Sequence, residues 1–155
     1  MNDGRAANGR PESEYSLPTV RGRGLRTGYT TGACAAAAAK AATLALLTGN
    51  PAGEVSIHLP IGRDARMRVH RCDWTADGRG VLCSAIKDGG DDPDATHGAE
   101  ICATVSLDTE SSGEVRIVGG PGVGTVTRPG TGIAVGEPAV TRVPRRMIIE
   151  SVREA

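Results

Sequence analysis

From Thr31 to Thr48 half the positions are alanine, in a tract from Ala35 to Ala42 broken by Lys40, with Leu44, Leu46 and Leu47 at the far end. Alanine is the strongest helix former, so this stretch predicts a helix. Thr30 and Thr31 are side chains that can cap its first free amides. Gly49 is placed to close it and Pro51 to stop it. Downstream the period changes to two. Val55, Ile57 and Leu59 alternate with Ser56 and His58, and Ala65, Met67 and Val69 alternate with Arg66, Arg68 and His70. With Pro60–Arg63 as the turn, this predicts a hairpin. Val81–Ile86 is apolar on both faces, as in a central strand. Ala99, Ile101, Ala103, Val105 and Leu107 alternate with polar neighbours and give the clearest strand signal. The pattern also predicts a strand at Glu114–Val118 after a turn at Ser111–Gly113, and a short one at Ile133–Val135. Pro144 can open a last helix with Met147, Ile148 and Val152 on one face.

Strands in series between two helices predict an α+β fold. It has two layers, a mostly antiparallel sheet with the alanine-rich helix packed on one face. Residues 1–23 are rich in Gly, Arg, Asn and Ser without a period, and read as a disordered tail. Residues 24–155 then form one domain.

Composition sharpens this picture. In 155 residues there is no Phe, one Trp and two Tyr, so the core must be built from Ala, Val, Ile and Leu. Lys and Arg total 18 and balance 18 acidic residues, which gives no bulk attraction to nucleic acid or membrane. The alanine tract reads as too weakly hydrophobic to span a bilayer. The four cysteines, Cys34, Cys72, Cys83 and Cys102, form no C-x-x-C pair and no zinc spacing. They read as free thiols in a reducing cytosol, with no metal site. Cys34 falls in the first helical turn, where the dipole would lower a thiol pKa. A small buried side chain is the reading preferred over a nucleophile.

Three segments are candidates for chemistry. The helix start at Thr30, Thr31 and Gly32 offers free amides and half a positive charge to a carboxylate or phosphate, unless it is only a capped helix. The loop Asp88–His97 places Asp88, Asp91, Asp92, Asp94 and His97 within a short span. Its carboxylates repel unless amides, a hydroxyl-bearing ligand or a cation offset them, although Asp and Gly are also ordinary turn residues. The run Val118–Gly124 resembles a phosphate-binding turn, but Pro129 argues against the helix such a site requires. It is therefore expected to act as a tight turn beside a ligand, through Gly120, Gly122 and Gly124. Arg66 and Arg68 share the polar face of the hairpin, as a solvated face or as a clamp for carboxylates.

Three literal strings also resemble one family: RTGYTTGACAAAAAKAA (26–42), KDGGDDPDATHGAEI (87–101), and GVGTVTRPG (122–130) continuing through GEPA (136–139) to VPRRM (143–147). In this order they resemble the amino-terminal part of the cobalt-precorrin-5B (C1)-methyltransferases of the anaerobic cobalamin pathway. The resemblance implies methyl transfer from S-adenosylmethionine to C1 of a tetrapyrrole, giving cobalt-precorrin-6A, in the cytoplasm. Members of that family run longer. A truncated domain is therefore expected, in contact with a missing C-terminal part and either catalytic or only tetrapyrrole- or partner-binding. On this reading Asp92 and His97 are the acid–base candidates. Asp91, Asp94, Gly120, Gly122 and Gly124 would hold the methyl donor, and Thr30, Thr31, Gly32, Arg66 and Arg68 the substrate carboxylates. The acidic loop is expected at the edge of a cleft near the helix start.

Overall fold

The structure, a computed structural model, describes residues 26–109 and 113–155. The segment 1–23 and two residues of the expected turn, Ser111 and Ser112, lie outside the described residues. The elements in chain order are α1 (Thr31–Thr48), β1 (Glu54–Leu59), β2 (Arg63–Arg68), β3 (Arg71–Trp74), β4 (Gly80–Ile86), β5 (Glu100–Ser106) and α2 (Arg142–Arg153). The fold is α+β with every strand pair antiparallel. The strands divide into a β1–β2 hairpin and a three-stranded sheet in the order β3–β4–β5.

Helix α1 is the core of the molecule. Thr30 caps it, accepting from the Ala33 amide at 3.1 Å, and Gly49 ends it in the left-handed region at φ +74°. Residues all round its circumference are buried, from Ala33, Cys34, Ala36 and Ala37 through Ala41, Ala42 and Ala45. A helix buried all round needs partners on several sides. These are α2, the inner faces of β4 and β5, and β1. Val81, Cys83 and Ala85 of β4 face it, opposite Val105, Ala103 and Ile101 of β5 in the register. The hairpin adds Val55, Ile57, Ala65 and Met67, which are paired across β1 and β2 and all buried.

By length and mean hydropathy, 18 residues at 1.3, α1 does meet the requirement for crossing a membrane, contrary to the expectation from its alanine content. Its burial, 61% of the segment, makes it the core helix here. Its one charge, Lys40, reaches Glu154 at the end of α2 at 3.0 Å and ties the two helices together. At the other end Gly32 lies buried under Pro144 of α2, the third residue of that helix.

Three elements differ from the sequence pattern. Glu114–Val118 alternates correctly but is not a strand, and Val118 is 72% exposed. Alternation is a local property, whereas a strand needs a free edge to pair with. Ile133–Val135 likewise forms bends and turns, and the segment is held by one bridge, Thr125 to Pro138, over the buried Val126. Strand β3 was missed because four residues with Arg71 and Asp73 among them are too short and too charged to show a period.

A methyl group at position 32 tests the α1–α2 packing. A Cβ there would stand 2.9 Å from Pro144 Cγ and 3.3 Å from its backbone Cα, so α2 itself would have to move. Overpacking of this kind costs about 1–3 kcal/mol. The gain in helix propensity returns at most about 1 kcal/mol. Gly32→Ala is expected to lower Tm by about 2–4 °C in thermal melts. An unchanged or higher Tm would show that the two helices are not closely packed at this point.

Candidate functional site: a helix-start latch and an arginine-rimmed cleft

The first and second sequence motifs are two sides of one contact. The backbone of Arg26–Tyr29 runs against that of Asp88–Asp91. Thr27 bridges Gly90, the Tyr29 amide donates to the Asp88 carbonyl at 2.7 Å, and the Asp91 amide donates to the Arg26 carbonyl at 3.0 Å. The approach requires glycine on both sides. A Cβ on Gly28 would lie 2.0 Å from the Gly89 carbonyl carbon, and one on Gly90 would lie 2.3 Å from the Arg26 oxygen. Gly90 also sits at φ +66°, where side chains are strained.

Within this latch the carboxylates find partners inside the protein. Asp88 takes the Arg26 guanidinium through both oxygens, one at 3.0 Å. It also accepts from the Gly90 amide at 2.9 Å. Asp91 accepts from the Arg26 amide at 2.6 Å. Asp94 pairs with Lys87, whose side chain is 2% exposed, and accepts from the Thr96 amide at 2.8 Å and its hydroxyl at 2.6 Å. Arg26 holds the Asp88 carboxyl below its usual range, and Lys87 and Thr96 do the same for Asp94. His97 Nδ1 accepts from the Gly89 amide at 3.0 Å, which assigns the ring proton to Nε2. Asp92 alone in the group is exposed with no partner among the described residues. Repulsion within the loop is thus offset by Arg26 and Lys87. Cys34, beneath it, is fully buried. Burial pushes its thiol up to about 11 against the opposing Lys87 charge, rather than the helix dipole drawing it down, and the side chain is a small buried one.

The cleft lies on the other side of the latch segment. It holds about 370 Å³ between the start of α1, the tip of the β1–β2 hairpin and the start of α2. Tyr29, Ala33, Leu59, Ile61, Val143 and Met147 form its apolar wall, and Arg63, Asp64 and Arg66 its charged rim. Past Leu59 and Met147 it continues into a groove of about 220 Å³ beside His58, Arg146 and Glu150.

Of the sequence-predicted substrate residues, Thr30 and Arg66 line the cleft. Thr31 is exposed outside it, Gly32 is covered by Pro144, and Arg68, on the same face of the hairpin as Arg66, does not line it. Asp91, Asp92, Asp94 and His97 lie behind the segment that forms the cleft wall and do not line it. Gly28 touches both sides. Gly120, Gly122 and Gly124 are exposed, outside the cleft, and no helix follows them. Among the described residues no three His, Cys, Asp or Glu side chains converge on a point that would hold a metal.

Arg63 also lines the cleft, although the sequence pattern places it in the hairpin turn. It shares a row with Ala65 and Met67, the inward row of β2, and that parity was the available signal. It has no ion-pair partner among the described residues, whereas Arg66 lies 3.5 Å from Glu54.

The CbiD family model matches residues 19–155. The chain belongs to the CbiD family. A Salinispora arenicola protein named cobalt-precorrin-5B C(1)-methyltransferase is 54% identical over 147 residues, 93% of this chain and 38% of that protein. Proteins of the same name are 57% identical in Thermus thermophilus and 53% in a Geobacillus species, over 85% and 84% of this chain and 34% of each. The chain thus spans little more than a third of the length of these CbiD relatives. No solved structure matches.

The Lys87–Asp94 pair yields an asymmetric prediction. Removing the carboxylate strands a buried ammonium, whereas removing both charges does not. Asp94→Ala is expected to lower Tm by more than Lys87→Met/Asp94→Ala does. The pH dependence follows from a folded-state Asp94 pKa depressed below its ordinary 3.8. Its contribution is complete above that value and is lost as the pH falls below it, because the unfolded chain takes up the proton first. Melts from about pH 5 to pH 2 should therefore show a shallower acid loss in the double variant than in the parent. Equal slopes would place the pair outside the stability balance.

Proposed function

We propose that this chain supplies the substrate-binding part of an enzyme that methylates C1 of cobalt-precorrin-5B, with S-adenosylmethionine as the methyl donor and cobalt-precorrin-6A as product. The observation that carries the proposal is the cleft, an apolar wall of Tyr29, Leu59, Ile61, Val143 and Met147 under a rim of Arg63 and Arg66. A tetrapyrrole is a broad apolar ring with carboxylates at its edge, and this surface is complementary to both parts. The names of the relatives supply the reaction, and a methyltransferase requires a donor.

The chemistry sets what the chain has to do. A sulfonium methyl passing to an electron-rich ring carbon needs alignment more than covalent help, and alignment can supply most of the rate. Arginine forks grip carboxylates through two hydrogen bonds and so fix the rotation of the ring as well as its position. The apolar wall excludes water from the ring face. The residues proposed for the methyl donor do not form a site by themselves: Asp91 and Asp94 are engaged within the latch, and Gly120, Gly122 and Gly124 lie outside the cleft. Asp92 is the one carboxylate of the loop without a partner among the described residues, but like His97 it lies outside the cleft, so neither acts as an acid or base on a ring held there.

Titration of this chain with a carboxylated cobalt tetrapyrrole, read by its visible absorbance, is expected to show saturable binding. Arg63→Ala and Arg66→Ala should each weaken it by about ten-fold, roughly 1.4 kcal/mol. Arg68→Ala should leave it unchanged. Absence of binding, or equal effects of all three variants, would remove the cleft from the reading. Binding without methyl transfer on addition of S-adenosylmethionine would identify the chain as a substrate-holding domain that is not catalytic alone.

A further inference from the structure

Two cysteines far from the cleft face each other across the β3–β4 ladder. Cys72 and Cys83 are direct register partners, and their sulfurs are 2.7 Å apart. The kind of rung they occupy follows from the hydrogen bonds nearby. The Thr75 amide donates to the Gly80 carbonyl at 2.9 Å, which makes 75–80 a hydrogen-bonded rung. The register steps from there through Trp74–Val81 and Asp73–Leu82 to Cys72–Cys83. Rungs alternate, so the cysteine rung is a non-hydrogen-bonded one, where Cα atoms stand about 4.5 Å apart and side chains approach most closely. That spacing falls inside the range of about 4.4–6.8 Å that a disulfide spans. Neither other cysteine has such a neighbour: Cys34 is buried within α1, and Cys102 stands opposite Ser84 on the outer face of the sheet.

We propose that Cys72 and Cys83 form a dithiol site that closes to an intramolecular disulfide by exchange with a low-molecular-weight disulfide such as oxidised glutathione. Access orders the two steps. Cys72, on the edge strand, is half-buried, whereas Cys83 on the central strand is fully buried. The Cys72 thiolate attacks one sulfur of the small disulfide, forming a mixed disulfide and releasing one small thiol. The Cys83 thiolate then attacks Cys72 Sγ, forming the protein disulfide and releasing the second. Two protein thiols are oxidised, one small disulfide is reduced to two thiols, and the two protons leave with those thiols. Burial raises the Cys83 thiol above its ordinary range, which slows the second step and suits Cys83 as the resolving partner rather than the attacking one. The product staples the four-residue edge strand β3 to the centre of the sheet, the strand otherwise held by the fewest rungs.

The test uses the full chain in a glutathione redox buffer, quenched with an alkylating agent in denaturant so that buried thiols react, and cleaved with trypsin before reduction. Cleavage after Arg71, Arg79 and Lys87 isolates the two cysteines on separate peptides, Cys72–Arg79 and Gly80–Lys87. The expected result is a loss of two mass units from the intact chain, a linked pair of these two peptides, and full alkylation of Cys34 and Cys102. Tm should rise on oxidation and return with dithiothreitol. Cys102→Ser should leave the link intact, and Cys72→Ser should abolish it. Alkylation of all four thiols throughout the redox range would overturn the proposal, as would a link through Cys102 or between two chains. The unsubstituted chain decides the matter even if Cys72→Ser fails to fold.

Discussion

The structure depends on one helix whose side chains are small enough to be approached from every direction. A typical core helix shows the interior one apolar stripe and gives solvent the rest. Helix α1 is buried all round by α2, by the inner faces of β4 and β5, and by β1, and alanine is what allows those backbones to come near. Gly32 takes this to its limit under Pro144. The consequence is a core with little tolerance for added volume, since most positions of α1 from Gly32 to Ala45 are buried and leave a larger residue little room. The chain compensates for its lack of Phe by packing backbone against backbone.

The same close approach organises the site. Gly28 and Gly90 let the segment before α1 lie directly on the loop after β4, and Arg26, Asp88 and Asp91 lock the two together. Lys87 and Asp94 then fix the loop to the core beneath the first turn of the helix. A dense group of aspartates that looks like a ligand site in one dimension is thus largely a fastening in three. It holds the helix start rigid, and the helix start is one wall of the cleft on the opposite side. The latch thus positions the helix start, while Arg63 and Arg66 stand at the rim of the cleft.

The cleft is assembled from three elements distant in sequence, namely the turn before α1, the tip of the β1–β2 hairpin and the first turn of α2. Each contributes according to its local geometry. The hairpin supplies Arg63 because its inward row runs out of core at position 63, beyond Ala65 and Met67, whereas Arg66 comes from its polar face. Helix α2 supplies Val143 and Met147 from the stripe that also packs on α1.

What the sequence by itself determined was local. The bounds of α1, its caps at Thr30 and Gly49, the hairpin, the central position of β4 and the alternation of β5 all follow from propensity and period, which neighbours in sequence decide. The family was also legible, in literal strings. The tertiary structure decided what depends on partners. Glu114–Val118 alternates without a strand to pair with, and β3 pairs although too short to alternate visibly. It also decided the fate of each candidate side chain. Asp88, Asp91 and Asp94 turn inward to Arg26 and Lys87, Gly32 goes under a proline, and Arg63, read as turn, reaches the cleft. Charge and exposure are properties of surroundings, and part of those surroundings comes from residues far along the chain, as Arg26 and Asp88, 62 positions apart, show.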